Sequence, residues 1–155
     1  MSEQRWVFVV RALDQPGTLT AAASVFSNRG VSLEAILGSG IAATAIEEGR
    51  LILSFRATER KQEMLLRALE RLSSVLQVTS YLYDDPKLRA IAIAKVSSLQ
   101  DISFDSEAIV VETIATSPDG LRLLLTGSTV AVEQVIQTLR QASVLLDLVT
   151  AAITL

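Results

Sequence analysis

Hydrophobic positions along this chain follow two periods in turn. Trp6-Val7-Phe8-Val9-Val10 is apolar on both faces, as a central strand should be. Leu19, Ala22, Ala23 and Phe26 then recur at helical spacing, and Gly30 in Asn28-Arg29-Gly30 predicts the helix C-cap. Val31 to Ile36 reads as a second strand that breaks at Gly38-Ser39-Gly40. From Arg50 to Arg56 the pattern alternates strictly: Leu51, Leu53 and Phe55 share one face, and Arg50, Ser54 and Arg56 the other. That alternation predicts a third strand with one solvated face. Thr58 predicts the cap of a second helix with Leu65, Ala68, Leu69 and Leu72 inward, and Val75 to Tyr83 predicts a fourth strand. The order is β-α-β-β-α-β over residues 1–84. Asp84-Asp85-Pro86-Lys87 then interrupts the pattern and marks a domain boundary, with a second domain over 85–155.

The second domain partly repeats the first. Leu88 to Val96 is a new apolar strand, and Leu121 to Leu125 matches Leu51 to Phe55 at an offset of 70. At that offset Val135, Ile136 and Leu139 fall on Leu65, Leu66 and Leu69, and Leu145 and Leu148 fall on Val75 and Val78. Ser128 or Thr129 predicts the helix cap, and Ser117-Pro118-Asp119-Gly120 predicts a tight turn between two strands. The repeat fails between Ser97 and Glu112. There the residues predict a loop and then a strand from about Ala108, with a short helix at 104–111 as the alternative. The expected fold class is α+β: two tandem ferredoxin-like domains, the second degenerate with its first helix short or missing.

Asp14-Gln15-Pro16-Gly17-Thr18-Leu19 adds the first hint of chemistry. A strand runs into a Pro-Gly turn that opens onto a helix N-terminus, where unpaired backbone amides can receive a small carboxylate. Asp14 is expected to cap that helix, with Pro16 in its first turn. An Asp14 carboxylate would also attract a ligand ammonium. Arg11 and Arg50 read as solvated cations, with a carboxylate clamp as the alternative. Trp6 reads as buried in a strand or at a dimer face.

Charge and composition narrow the function classes. The net charge is −3, with nine basic and nine acidic residues before Asp85 and five basic and eight acidic from there on. Neither domain has the basic surplus of a phosphate-backbone binder, and the third strand offers only Phe55 for base stacking, so nucleic acid is not the expected partner. The chain has no Cys and no His, which removes thiolate nucleophiles, Cys-ligated zinc and the commonest general base. Neither paired carboxylates at useful spacing nor a glycine-rich phosphate loop is present, so an enzyme is not expected, nor any cofactor or metal. No stretch reads as a signal peptide or a membrane span, and the expectation is a cytoplasmic protein without a membrane partner.

Three segments together resemble an ACT domain: Asp14-Gln15-Pro16-Gly17-Thr18-Leu19, Phe26-Ser27-Asn28-Arg29-Gly30 and Val31-Ser32-Leu33-Glu34-Ala35-Ile36. Over its whole length the chain resembles the regulatory small subunit of acetohydroxyacid (acetolactate) synthase, whose second domain opens with a strand similar to Leu88–Val96. The resemblance implies a homodimer through side-by-side ACT sheets and an association with a catalytic enzyme subunit. It also implies one amino-acid effector per turn at the subunit interface, a branched-chain amino acid such as valine acting by feedback. By position, the implied ligand contacts are Asp14, Gln15, Pro16, Gly17 and Thr18 in the turn, Ser32 and Leu33 at the start of the second strand, and Ser39 near the side-chain pocket. Ser32 stands where that family typically has an Asn, and a hydroxyl makes fewer hydrogen bonds than an amide. The alternative is a ligand-free dimerisation or adaptor module on the same scaffold.

Overall fold

The structure, a computed structural model, describes residues 2–40, 47–104 and 107–154. Its elements are β1 (Gln4–Leu13), α1 (Thr18–Ser27), β2 (Leu33–Gly40), β3 (Glu48–Ala57), α2 (Glu59–Glu70), β4 (Val75–Leu82), β5 (Leu88–Val96), β6 (Ile109–Ser117), β7 (Gly120–Ser128), α3 (Thr129–Gln141) and β8 (Leu145–Thr154). They form two compact units, Met1–Tyr83 and Asp84–Leu155. Each is α+β and ferredoxin-like, with one four-stranded antiparallel sheet, ordered β2-β3-β1-β4 in the first unit and β6-β7-β5-β8 in the second.

In the first unit, alternate residues of β1 (Trp6, Phe8, Val10 and Ala12) meet α1 and α2 in one core with Leu53, Phe55, Leu65 and Leu69. Phe8, Phe26 and Phe55 interlock, with ring centroids 4.7 Å apart for Phe8–Phe55 and 5.0 Å for Phe26–Phe55. Trp6 lies in this core and donates its indole N–H to the Ala57 carbonyl at 3.0 Å. Helix α2 follows the sequence pattern: Thr58 accepts from the Lys61 amide, and Leu65, Ala68 and Leu69 are buried. Helix α1 ends as Gly30 predicts. The Val31 amide reaches back to the Phe26 carbonyl and the Gly30 amide to Ser27, so the last carbonyls are satisfied.

Four local expectations fail. Gly17, not Asp14, is the α1 N-cap, and no side chain caps that helix. Pro16 therefore precedes the cap instead of lying in the first turn. Of the predicted α1 stripe Ala22 and Phe26 are buried, but Thr18 and Val25 take the places expected of Leu19 and Ala23, and Leu19 is 48% exposed. The second strand does not break at Gly38-Ser39-Gly40. It pairs with β3 through Gly40↔Gly49, because an edge ladder needs only backbone groups. The outer face of β3 is also less solvated than its alternation predicts. Ile52 and Ser54 are buried, since β3 is an inner strand flanked by β2 and β1.

In the second unit the offset of 70 holds through a hairpin strand, a helix and a final strand. Ser128 caps α3 by accepting from the Ala131 amide, as Thr58 caps α2. Leu123, Val135 and Leu139 are buried, like Leu53, Leu65 and Leu69. Pairing of Phe8 with Leu53 in one unit and Ala94 with Leu123 in the other leaves far less chain between the paired central strands of the second unit. Among the described residues no helix separates β5 from β6, and Leu99, Ile102 and Phe104 pack onto the core from a loop. Residues 105 and 106 lie outside the described residues. The alternative of a helix running on through Val110 and Val111 fails, because Ile109 opens β6.

Helix α3 closes with the same bonding pattern as α1: the Val144 amide to Leu139 and the Ser143 amide to Arg140. The left-handed position is held by Ser143, at φ 57°, where glycine carries no Cβ penalty. Ser143→Gly is expected to raise stability by about 0.5–1 kcal/mol, read as a higher midpoint of urea unfolding. A lower midpoint would show that the Ser143 side chain contributes more than the strain it causes.

Candidate functional site

The predicted turn forms one wall of a cleft. Three bonds fix it: the Asp14 amide donates to the Glu47 carbonyl at 2.8 Å, the Gln15 amide to Leu13 at 3.0 Å, and the Thr18 hydroxyl to Leu13 at 2.9 Å. Gly17 has φ 88°, a left-handed conformation open to glycine at little cost, and a Cβ there would meet nothing within 4 Å. The backbone at the turn is therefore exposed. With no side-chain cap on α1, the Leu19 and Thr20 amides of its first turn have neither an intrahelical acceptor nor a capping oxygen.

The facing wall comes from β2 and β3. Gly38, Ser39 and Gly40 of β2 and Gly49, Arg50 and Leu51 of β3 line the cleft opposite Asp14, Gln15, Thr18 and Leu19. Its volume is about 260 Å³, just under the about 300 Å³ at which drug-sized pockets begin. Asp14 packs against the glycine pair: a Cβ on Gly40 would come within 2.9 Å of Asp14 Oδ2, and one on Gly49 within 3.4 Å of Asp14 Cβ. Asp14 and Arg50 are the ionisable residues of the lining. Close by, Arg11 donates through Nε to Glu48 and through Nη1 to Gln77 at 3.2 Å. The hydrogen bond from Arg11 holds the Glu48 carboxyl below its ordinary value, and the charges of Arg11 and Arg50 add to this against the opposing effect of burial.

Of the residues singled out from the sequence, Asp14, Gln15, Thr18 and Ser39 share this cleft. Pro16 and Gly17 belong to the same turn and are exposed beside it. Ser32 and Leu33 are elsewhere. With Ala23, Phe26, Ser27, Gly30 and Val31 they line a second depression at the other end of β2. Seven residue steps of about 3.3 Å separate Ser32 from Ser39, a span of about 23 Å, so one ligand cannot touch both within one copy. The sequence reads Arg50 as a solvated cation, with a carboxylate clamp as the alternative; in the structure its Nε is buried without a hydrogen-bond partner. The signal available in the sequence was its place at the start of an alternating strand; what was missing was the pairing with Ser39. Phe55 is fully buried and offers no surface for stacking a base. Among the described residues no group of His, Cys, Asp and Glu is arranged to hold a metal, and no helix is long and apolar enough to cross a membrane.

No protein-family model matches the chain, and no curated protein matches it. Solved structures do. The small subunit of acetolactate synthase from Thermotoga maritima superposes with a TM-score of 0.68 over 98% of both chains, at 21% sequence identity. The ligand-free regulatory subunit of aspartate kinase from Thermus thermophilus gives a TM-score of 0.49 over 91% of this chain and 95% of that one, at 16% identity. From end to end, this chain has the tandem ferredoxin-like, ACT-type fold seen in the acetolactate synthase small subunit.

Proposed function

We propose that this protein is a regulatory amino-acid-binding subunit, similar in role to the small subunit of acetolactate synthase. Residues 1–84 form its effector-binding ACT domain, and 85–155 form a second, related domain. It acts in the cytoplasm as a homodimer, is not itself catalytic, and conveys effector binding to a catalytic enzyme subunit. A branched-chain amino acid is the favoured effector. The observation that carries this reading is the cleft at the Asp14–Thr18 turn. A free amino acid presents a carboxylate and an ammonium a few ångströms apart. The uncapped first turn of α1 suits the carboxylate, Asp14 suits the ammonium, and Leu19 and Leu51 offer apolar contact to a side chain.

Dimerisation would join the two half-sites. Strand β2 is an edge strand, and Ile36 and Leu37 on it are exposed, as is Leu19 on α1. A two-fold contact through β2 runs the two strands antiparallel, bringing the Ser32 end of one copy to the Ser39 end of the other. Ser32 and Leu33 would then complete the partner's cleft. Linkage follows: a ligand spanning two chains favours the arrangement that closes on it, and a bound enzyme responds to that arrangement.

The test is a thermal-shift screen of the full chain against the twenty amino acids. A ligand at 100 times its dissociation constant stabilises by about 2.7 kcal/mol, a readable shift of several degrees. Gly17→Asp is expected to abolish that shift while unfolding stays cooperative, since it sets charge and bulk against the turn at about 1–2 kcal/mol of backbone strain. Undiminished affinity in this variant would place any effector elsewhere. The exposed β2 edge also favours a second reading, a dimerisation or adaptor module with no small-molecule ligand. A stable dimer that responds to none of the twenty would support it.

A further inference from the structure

Strands β1 and β3 place two arginine pairs directly opposite each other, Arg5↔Arg56 near one end of the ladder and Arg11↔Arg50 near the other. Like charges directly across a ladder destabilise it, and an anion between them relieves the repulsion. At the first pair the chain supplies one. The Glu34 carboxylate accepts from Arg5 Nε at 3.0 Å and from Arg56 Nε at 2.7 Å, bridging both guanidinium groups. Glu34 can do so because β2 bulges between Leu33 and Ala35.

At the second pair the compensation is incomplete. Glu48 is buried and accepts from Arg11, and Arg11 also donates to Gln77. Arg50 makes no such hydrogen bond: its charge acts on Glu48 only through space, and its Nε is buried without a partner. A buried charged donor left unpaired is costly, and such donors in folded proteins usually meet an acceptor. Arg50 pairs across the ladder with Ser39 and lines the same cleft as Asp14 and the α1 turn. Asp14 and Arg50 give that lining one negative and one positive group, matching a zwitterion.

We propose that Arg50 is a ligand-binding residue that shares the effector carboxylate with the α1 turn across the cleft, so that the cleft selects free α-amino acids over their carboxyl-blocked forms. This rests on the reading of the cleft as an effector site. The effector would do at Arg11–Arg50 what Glu34 does at Arg5–Arg56, with a planar guanidinium fork suited to a carboxylate. Ligand binding would thereby complete the charge balance of the β1–β3 ladder.

The experiment measures affinity by titration calorimetry on the full chain. The probes are the tightest binder among the twenty amino acids and its primary carboxamide. Wild type is expected to prefer the acid by tenfold or more. Arg50→Gln is expected to weaken acid binding by tenfold or more and to bring acid and amide to similar affinity, with Arg50→Lys recovering part of the preference. Unliganded Arg50→Gln should melt close to wild type, because it removes the repulsion from Arg11 together with the attraction to Glu48 and breaks no hydrogen bond of Nε. Arg56→Gln, whose carboxylate partner is internal, should keep the full preference. Equal acid affinity in wild type and Arg50→Gln overturns the assignment of Arg50 and leaves the effector site standing. Failure of all twenty amino acids to bind wild type overturns the effector site and this inference with it.

Discussion

Replacing Phe55 by alanine is expected to cost about 3–5 kcal/mol, the range for removing a large aromatic side chain from a packed core. Phe55 is fully buried and makes tilted, edge-on contacts with both Phe8 and Phe26. Those rings belong to β1 and α1, so the substitution opens a cavity where the sheet meets its first helix. Ordinary single domains hold only about 5–15 kcal/mol in total, so the loss should show as a large drop in the denaturation midpoint. Near-ultraviolet circular dichroism should weaken too, because Trp6 lies in the same core. A change below about 1 kcal/mol, the smaller cost seen where a site collapses or swaps volume without a cavity, would mean that Phe8 and Phe26 close the gap.

Gly120→Ala should damage the second unit to a comparable degree by a different route. Gly120 closes the turn between β6 and β7 at φ 139°, a conformation that side-chain-bearing residues rarely adopt. A Cβ at this position would sit 2.2 Å from the Val96 carbonyl oxygen, a backbone atom that cannot swing aside as a side-chain end can. Strain of about 1–3 kcal/mol for the backbone alone, with the clash added, points to a total loss of about 3 kcal/mol or more. Hydrogen exchange should report it first at the β6–β7 and β5–β7 ladders. A variant with unchanged exchange there would show that the hairpin relaxes around the new methyl group.

Both substitutions fall on features with a clear trace in the sequence. Leu51, Leu53 and Phe55 alternate plainly, and Ser117-Pro118-Asp119-Gly120 is a turn in its own residues. What local pattern could not reveal was decided across strands. Gly38-Ser39-Gly40 looks like a break because glycine has weak strand preference, yet the segment is held in β2 by pairing with Gly49, Arg50 and Leu51. Asp14 looks like a helix cap by type and place, but the left-handed Gly17 takes the cap position, and Asp14 instead packs against glycines far along the chain. Arg50 looks like one more solvated cation until its cross-strand neighbours are known. The turn half of the candidate site was thus legible because it is contiguous. The β2–β3 half was not, because it exists only through register, and the span of about 23 Å between Ser32 and Ser39 emerges only once β2 is seen to continue to Gly40.

The offset of 70 from Leu51–Leu121 to Val78–Leu148 gives the two units one spacing of elements. The helix N-caps Thr58 and Ser128 and the strand starts Val75 and Leu145 keep that spacing, while α3 runs one residue longer than α2. Upstream the two units part: the first carries the Pro-Gly turn and α1, and in the second Leu99, Ile102 and Phe104 pack onto the core from a loop. The same strand–helix–strand frame thus carries an exposed Pro-Gly turn in one unit and a core roofed by a loop in the other.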